Sequence, residues 1–184
     1  SVVRTKSLMP YLRDAEFRLY AGLLLTITVL SIYALYDLSS SHDLVRAVRE
    51  GLFQAVSIAT TSGFATTDYS SWPVFVPVLL LFASFVGGCA GSTGGGIKVI
   101  RILLLVKQGV RELRRLVHPN AQIAVKIGKN VMSEKVIEAV WGFFAAYFAI
   151  SALMILLLMA TGLDQETAFS AVAACLNNLG PGLG

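Results

Sequence analysis

Two short stretches of this 184-residue chain combine hydroxyl or amide side chains with glycine: Thr60-Thr61-Ser62-Gly63 and Asn177-Asn178-Leu179-Gly180-Pro181-Gly182. Neither offers a nucleophile beside a base, and His42 and His118, the only histidines, fall in loops expected at opposite faces. What such stretches can do is present main-chain oxygens. Glycine lacks a Cβ and reaches backbone angles that aim successive carbonyls at one point, and carbonyls so aimed can replace the hydration shell of a cation. Taken alone, Ser62-Gly63 is an ordinary turn. Cys89 and Cys175 have no second thiol nearby in sequence, which argues against a zinc site or a disulfide framework.

The elements before these stretches change that picture. Residues 44–59 form a moderately apolar run too short to cross a membrane and return, followed at once by residues that no helix continues through. The economical expectation is a re-entrant loop: a short helix entering from outside, then non-helical backbone climbing back. Such backbone is tolerated at membrane depth only where its carbonyls face protein or a water-filled path. The pattern recurs. Glu50-Gly51-Leu52-Phe53-Gln54-Ala55-Val56 matches Glu166-Thr167-Ala168-Phe169-Ser170-Ala171-Val172 at Glu, Phe, Ala and Val with a spacing of 116, and a slip of one residue pairs Gly63 with Gly180. Both copies follow a long apolar stretch, which points to a duplicated unit of outer helix, pore helix, filter and inner helix.

The first inner helix is expected to be broken. Residues 74–86 are 13 uncharged positions, which at about 1.5 Å each reach only about 20 Å. Glycines then stand at 87, 88, 91, 94, 95 and 96, each weakening a helix by about 1 kcal/mol relative to alanine. Close helix packing would also use small residues, since Gly91 and Gly95 have the small-xxx-small spacing. A phosphate-binding loop is excluded, because Ile97 separates Gly96 from Lys98 and Val99 stands where Ser or Thr would hold magnesium. The segment Gly87, Gly88, Gly91, Ser92, Thr93, Gly94, Gly95 and Gly96 is therefore expected to be a mobile intramembrane loop.

Composition sets the solvent. Apolar residues make up 55% of the chain and charged residues 14%, with a mean hydropathy of +0.71, whereas soluble domains carry about a quarter charged residues. Residues 19–36 and 140–160 are uncharged runs of spanning length. Nothing at Ser1 resembles a secretory signal. Of 15 Lys and Arg, four precede the first run and nine lie between positions 98 and 135, which places both regions in the cytoplasm. Six of 11 acids, Asp37, Asp43, Glu50, Asp68, Asp164 and Glu166, fall on the outer side, where they solvate loops or attract cations. Lys107, Arg111, Arg114 and Arg115 crowd the cytoplasmic end near His118. They suit a solvated positive-inside cluster, a docking surface for a partner, or contact with lipid headgroups.

Three passages resemble the Trk/Ktr/HKT superfamily of potassium transporters, most closely its bacterial Trk branch: Ala59-Thr60-Thr61-Ser62-Gly63-Phe64-Ala65-Thr66-Thr67-Asp68, Gly87-Gly88-Cys89-Ala90-Gly91-Ser92-Thr93-Gly94-Gly95-Gly96-Ile97-Lys98, and Asn177-Asn178-Leu179-Gly180-Pro181-Gly182. The resemblance implies an all-α membrane protein of membrane helix–re-entrant pore loop–membrane helix repeats, pseudo-fourfold when complete. This sequence is similar to the third repeat and the first part of the fourth, so it is expected to be a fragment.

By that resemblance Thr60, Thr61, Ser62, Gly63, Asn177, Asn178, Leu179 and Gly180 are potassium-binding filter positions, acting mostly through main-chain oxygens while side chains brace the loops. One aligned glycine per repeat implies fewer ion sites and weaker selectivity than in tetrameric potassium channels. The glycine loop would be a gate under the filter. Potassium would be the transported ligand, with no organic cofactor and no metal other than potassium. Implied partners are the remaining repeats, a second copy in a homodimer, a cytosolic nucleotide-binding regulatory ring and membrane lipids, with no nucleic acid. The implied place is the cytoplasmic (inner) membrane, multi-pass, filter outward.

The expected organisation is a cytoplasmic amphipathic linker at 1–18; a pore repeat at 19–106, with outer helix 19–38, pore helix 45–59, filter 60–66 and a broken inner helix 74–106 around the loop 87–96; a cytoplasmic linker at 107–135; and a partial repeat at 136–184, with outer helix 136–160, pore helix 165–176 and filter 177–182. A structural or regulatory membrane subunit without its own ion path, or a sodium-permeable relative, are the alternatives; an enzyme is not expected.

Overall fold

The computed structural model describes residues 14–37, 43–73, 75–118, 121, 123–128 and 130–183. Most of the expected linker 1–18, His42, and residue 38 at the expected end of the first outer helix lie outside the described residues.

Among the described residues, two helices are long and apolar enough to cross a bilayer: α1, Ala15–Asp37, and α5, Glu134–Ala160. At about 1.5 Å per residue they reach about 34 and about 40 Å, against about 30 Å of hydrocarbon. Few of their side chains are buried, Ile137, Val140 and Phe144 alone in α5, while Leu153, Leu156 and Leu157 stand exposed. A helix apolar on every side is matched to apolar surroundings rather than to water.

Helix α2, Leu44–Ala59, starts at Asp43, whose carboxylate accepts the Val45 and Arg46 N–H groups at 3.0 and 3.2 Å. It packs on α1 through Gly51, where a Cβ would come within 3.1 Å of the Ile32 side chain. Glu50 is buried in this helix and accepts from Arg46 Nε at 2.8 Å. Asp68 then caps a 3-10 turn at Tyr69–Ser71, and α3 runs Phe75–Val86. Its 12 residues reach about 18 Å, too short to span.

Residues 87–98 are not helical. Helix α4, Val99–Val117, then runs on past 106, the expected end of the inner helix, into the stretch read from the sequence as linker. The apolar run ends at Val106, yet the helical period does not: Leu104, Gln108 and Arg111 bury one face at spacings of four and three. Arg114 and Arg115 in the last turn suit the negative helix end. A small antiparallel hairpin, β1 Lys126–Ile127 with β2 Asn130–Val131, also occupies that stretch; no strand was expected there. Helix α6, Gln165–Leu176, follows α5 and is capped by Asp164.

Two apolar clusters hold these elements. Ile58, Val76, Leu80, Leu81, Ala173 and Leu179 join α2, α3 and α6. Ile97, Leu104, Val125, Ile137, Val140 and Phe144 join α4 to α5. The Arg101 guanidinium lies 4.1 Å from the centroid of the Phe143 ring, a cation–π contact between those last two helices.

Candidate functional site

Helices α2 and α6 close in the same way. In α2 the N–H groups of Thr61 and Ser62 bond to the carbonyls of Ile58 and Ser57, at 3.0 and 2.9 Å. In α6 those of Asn178 and Leu179 bond to Cys175 and Ala174, at 3.2 and 2.8 Å. This pair of bonds is a Schellman closure, whose left-handed residue is usually glycine. Here it is Thr61 at φ 55° and Asn178 at φ 51°. Asparagine tolerates that region, whereas a β-branched threonine there is an outlier held by its surroundings. Gly63 and Gly180 follow at φ 76° and 94°.

Every one of these correspondences has a spacing of 117. The match of Glu50, Phe53, Ala55 and Val56 with Glu166, Phe169, Ala171 and Val172 has a spacing of 116, and both helices are unbroken. A regular helix cannot absorb a slip of one residue, so the matched side chains stand about 100° apart around their helices. The glycine pairing holds in the structure; the four-residue match does not mark equivalent positions.

The two loops touch. A Cβ on Gly63 would overlap the carbonyl oxygen of Leu179 and lie 3.6 Å from Pro181 Cδ. Tyr69 donates its hydroxyl toward the carbonyls of Pro181 and Gly182, each at 3.3 Å. Within the first loop, Ser57 donates to the Phe64 carbonyl at 2.6 Å and lies 3.2 Å from the Ser62 hydroxyl, while Thr60 donates to the Val56 carbonyl at 2.7 Å. The second loop is braced across helices: Tyr147 of α5 donates to Asn177 Oδ1 at 2.7 Å, and Asn177 Nδ2 donates to Ser84 of α3 at 3.2 Å. Side chains thus hold the loops, and among the described residues no hydrogen bond ends on the carbonyls of Thr60, Thr61, Ser62, Gly63, Asn177, Asn178, Leu179 or Gly180.

The glycine segment lies against both loops. Gly95 donates its N–H to the Thr61 hydroxyl at 2.7 Å, and a Cβ on Gly94 would stand 3.0 Å from the Thr60 carbonyl oxygen. A Cβ on Gly95 would overlap the Asn177 carbonyl oxygen. Gly87 and Gly96, at φ 63° and 77°, pack against each other, and Gly88 packs against Ser92, whereas Gly91 faces open space and Thr93 is exposed. Two ionic groups grip this backbone. Lys98 donates to the Ser92 carbonyl at 2.9 Å, to its hydroxyl at 3.3 Å and to the Gly94 carbonyl; Glu16 of α1 accepts the Ala90 N–H at 2.6 Å.

Sequence reasoning singled out none of Glu16, Ser57, Ser84, Lys98 and Tyr147 as bracing groups. The available signal was polar atoms inside apolar runs, Ser84 within α3 and Tyr147 within the run 140–160, since a buried hydroxyl needs a partner.

The basic cluster divides. Arg111 is buried, bonds Glu134 through two nitrogens at 2.6 and 3.1 Å, and lies 3.4 Å from Glu112. It ties α4 to the start of α5 and does not stand on a free surface, contrary to its expected place in a docking patch. Lys107 donates to the Lys126 carbonyl and Arg115 to Glu112 at 3.3 Å. Arg114 is exposed and has no carboxylate partner among the described residues. On the other side of the molecule, Ser70 hydroxyl and N–H bonds hold the Asp68 carboxyl below its ordinary range, and the Thr167 N–H and hydroxyl do the same for Asp164.

A family profile described as TrkH, cation transport protein, matches residues 5–184. The chain belongs to the TrkH family of cation transport proteins. As a member it is an all-α membrane protein. It is 51% identical over 184 residues to the Trk system potassium uptake protein TrkH of Salmonella typhimurium, covering all of this chain and 38% of that protein. It is 39% identical over 183 residues to the Trk system potassium uptake protein TrkG of Escherichia coli K12, again 38% of its length. The crystal structure of the potassium transporter TrkH from Vibrio parahaemolyticus superposes with a TM-score of 0.87 at 53% identity, covering 95% of this chain and 37% of that one. The chain thus spans under two-fifths of the length of these TrkH-family relatives, which are named for uptake rather than for a catalysed reaction.

Proposed function

We propose that the complete protein conducts potassium across the cytoplasmic membrane through a filter of main-chain oxygens, and that the glycine segment 87–96 gates it from beneath. Thr60, Thr61, Ser62 and Gly63 supply one quadrant of the filter and Asn177, Asn178, Leu179 and Gly180 another. The remaining repeats supply the rest. What supports this most is one arrangement: two re-entrant helices end in the same left-handed turn at a spacing of 117, their loops meet at Gly63 and Leu179, and Gly94 and Gly95 press on both. A carbonyl left without a hydrogen bond at that depth favours a cation that has shed its water.

In this reading potassium is cargo, and no organic cofactor takes part. Positive charge at the α4 end and acids at Asp43, Asp68 and Asp164 support an outward-facing filter. A cytosolic nucleotide-binding ring would act through the cytoplasmic end of α4, where Arg114 is free to meet it, with a second copy of the transporter and membrane lipids completing the assembly.

Rubidium uptake into liposomes holding the complete protein tests the proposal. Uptake that exceeds sodium uptake and depends on Gly63 is expected. Rubidium flux no higher than in empty liposomes, from folded protein and with the regulator present, would overturn it.

A further inference from the structure

The two loops are braced differently, and the difference falls on one residue. Thr60 and Asn177 are equivalent at the spacing of 117. Thr60 turns its hydroxyl back to its own helix at Val56. Asn177 is fully buried and reaches two other helices instead.

Its bonds form a directed chain. Ser84 donates its hydroxyl hydrogen to the Leu81 carbonyl at 2.6 Å, so towards Asn177 it can only accept. Asn177 must therefore present its NH2 to Ser84 and its oxygen to the opposite side, where the Tyr147 hydroxyl donates to it. One amide orientation satisfies every partner. The Tyr147 ring is held in turn: Phe85 meets it edge-on with centroids 6.3 Å apart, and Phe143 and Phe148 lie at 5.9 and 6.0 Å. The same Asn177 carries, on its main chain, the carbonyl against which Gly95 rests.

We infer that Tyr147 is a positioning residue for ion selectivity, acting through Asn177 to set the angle of the second filter loop. This inference rests on the proposed filter. A loop whose main-chain oxygens are aimed by a hydroxyl on the outer helix discriminates between cations only as well as that hydroxyl holds it. The first loop is braced by its own helix end and by Gly95, and among the described residues no hydrogen bond ties it to α1.

The test uses the complete transporter in liposomes, with rubidium and sodium fluxes measured side by side. Tyr147→Phe keeps the ring and removes only the hydroxyl, and Ser84→Ala removes the other anchor of the amide. Each is expected to lower the rubidium-to-sodium flux ratio by about threefold to tenfold, the change that loss of an ordinary hydrogen bond supports. Ser151→Ala, which removes a hydrogen bond to the Tyr147 carbonyl one turn along α5, is expected to leave the ratio unchanged.

Gly63→Ser serves as the internal reference. If it lowers the ratio while folded Tyr147→Phe and Ser84→Ala do not, the positioning role is overturned and the filter stands. If none of the three changes the ratio, the filter assignment itself falls. An equal drop with Ser151→Ala would reduce the effect to general loosening of α5 and also overturn the role.

Discussion

Gly95 donates its N–H to the hydroxyl of Thr61 at 2.7 Å, so the glycine segment is bonded directly to a loop that carries candidate filter carbonyls. Thr61 is itself in the left-handed region at φ 55°, a conformation that costs a β-branched residue free energy and persists because its neighbours hold it. The glycine segment and the Thr61 loop are thus one hydrogen-bonded unit, and displacing the segment frees a strained residue. The remaining predictions concern that unit and the ends of the molecule.

Replacing Gly63 with Ser should lower the preference for potassium over sodium. A Cβ at this position overlaps the Leu179 carbonyl oxygen, and the backbone is at φ 76°, a region that costs roughly 1–3 kcal/mol for a residue with a side chain. Both effects move the loops apart. Paired rubidium and sodium fluxes in liposomes check it; an unchanged ratio removes Gly63 from the filter.

Replacing Gly95 with Ala should raise rubidium flux in the absence of the regulator. The added Cβ has no room against the Asn177 carbonyl, so the segment must withdraw. Deleting residues 90–95 should do the same more strongly, because it also removes the Thr61 and Glu16 bonds. In both cases the potassium-to-sodium ratio should change little, because in the unaltered protein too ions pass only once the segment has withdrawn and its Thr61 bond is broken. Flux that stays low and regulator-dependent in folded protein would assign the glycines to packing.

Arg111→Leu should lower the thermal unfolding temperature by a few degrees, since it leaves Glu134 without its bidentate partner at the α4–α5 contact. Arg114→Gln together with Arg115→Gln should leave that temperature nearly unchanged while weakening capture of the cytosolic regulator, more so at low salt. A thermal shift assay and a pull-down across salt concentrations separate the two roles. Unaltered capture at every salt concentration would return Arg114 and Arg115 to topology alone.

Acid should destabilise the start of α6 and the 3-10 turn at Tyr69–Ser71 through their caps, Asp164 and Asp68. Both carboxyls are held below the ordinary aspartate value of 3.8 by hydrogen bonds to the charged form. A group whose folded value is depressed contributes stability that is full above 3.8 and lost as pH falls through the folded value. Unfolding temperatures of purified protein should therefore drop below about pH 4, and Asp164→Asn should flatten that drop. An identical pH profile in the variant would show that the α6 cap does not carry it.

The sequence by itself determined what depends on local pattern. Uncharged runs near residues 19–36 and 140–160 read as spanning helices because apolar length is a local property. The end of α3 near Val86 was legible because six glycines and too few apolar residues cannot continue a spanning helix. Helix α6, Gln165–Leu176, is expected there from the repeat of the first unit and the polar, glycine-containing stretch that begins at Asn177. Where amphipathic periodicity replaces an apolar run, at Lys107 to Val117, apolar length predicts a linker and the structure shows the rest of α4.

Only the tertiary structure decided which residues meet. The repeat register is 117 rather than 116 because hydrogen bonds at the helix ends, and not residue identities along the helices, define equivalent positions. Tyr147 with Asn177, Glu16 with Ala90 and Gly63 with Leu179 are separated by 30, 74 and 116 positions, distances over which no periodicity carries information. Arg111 reads from the sequence as surface charge, whereas in the structure its side chain is buried and paired with the exposed Glu134, because α5 begins beside it. A charge is read from one residue, whereas its role is set by the partner that the fold brings to within a few ångströms.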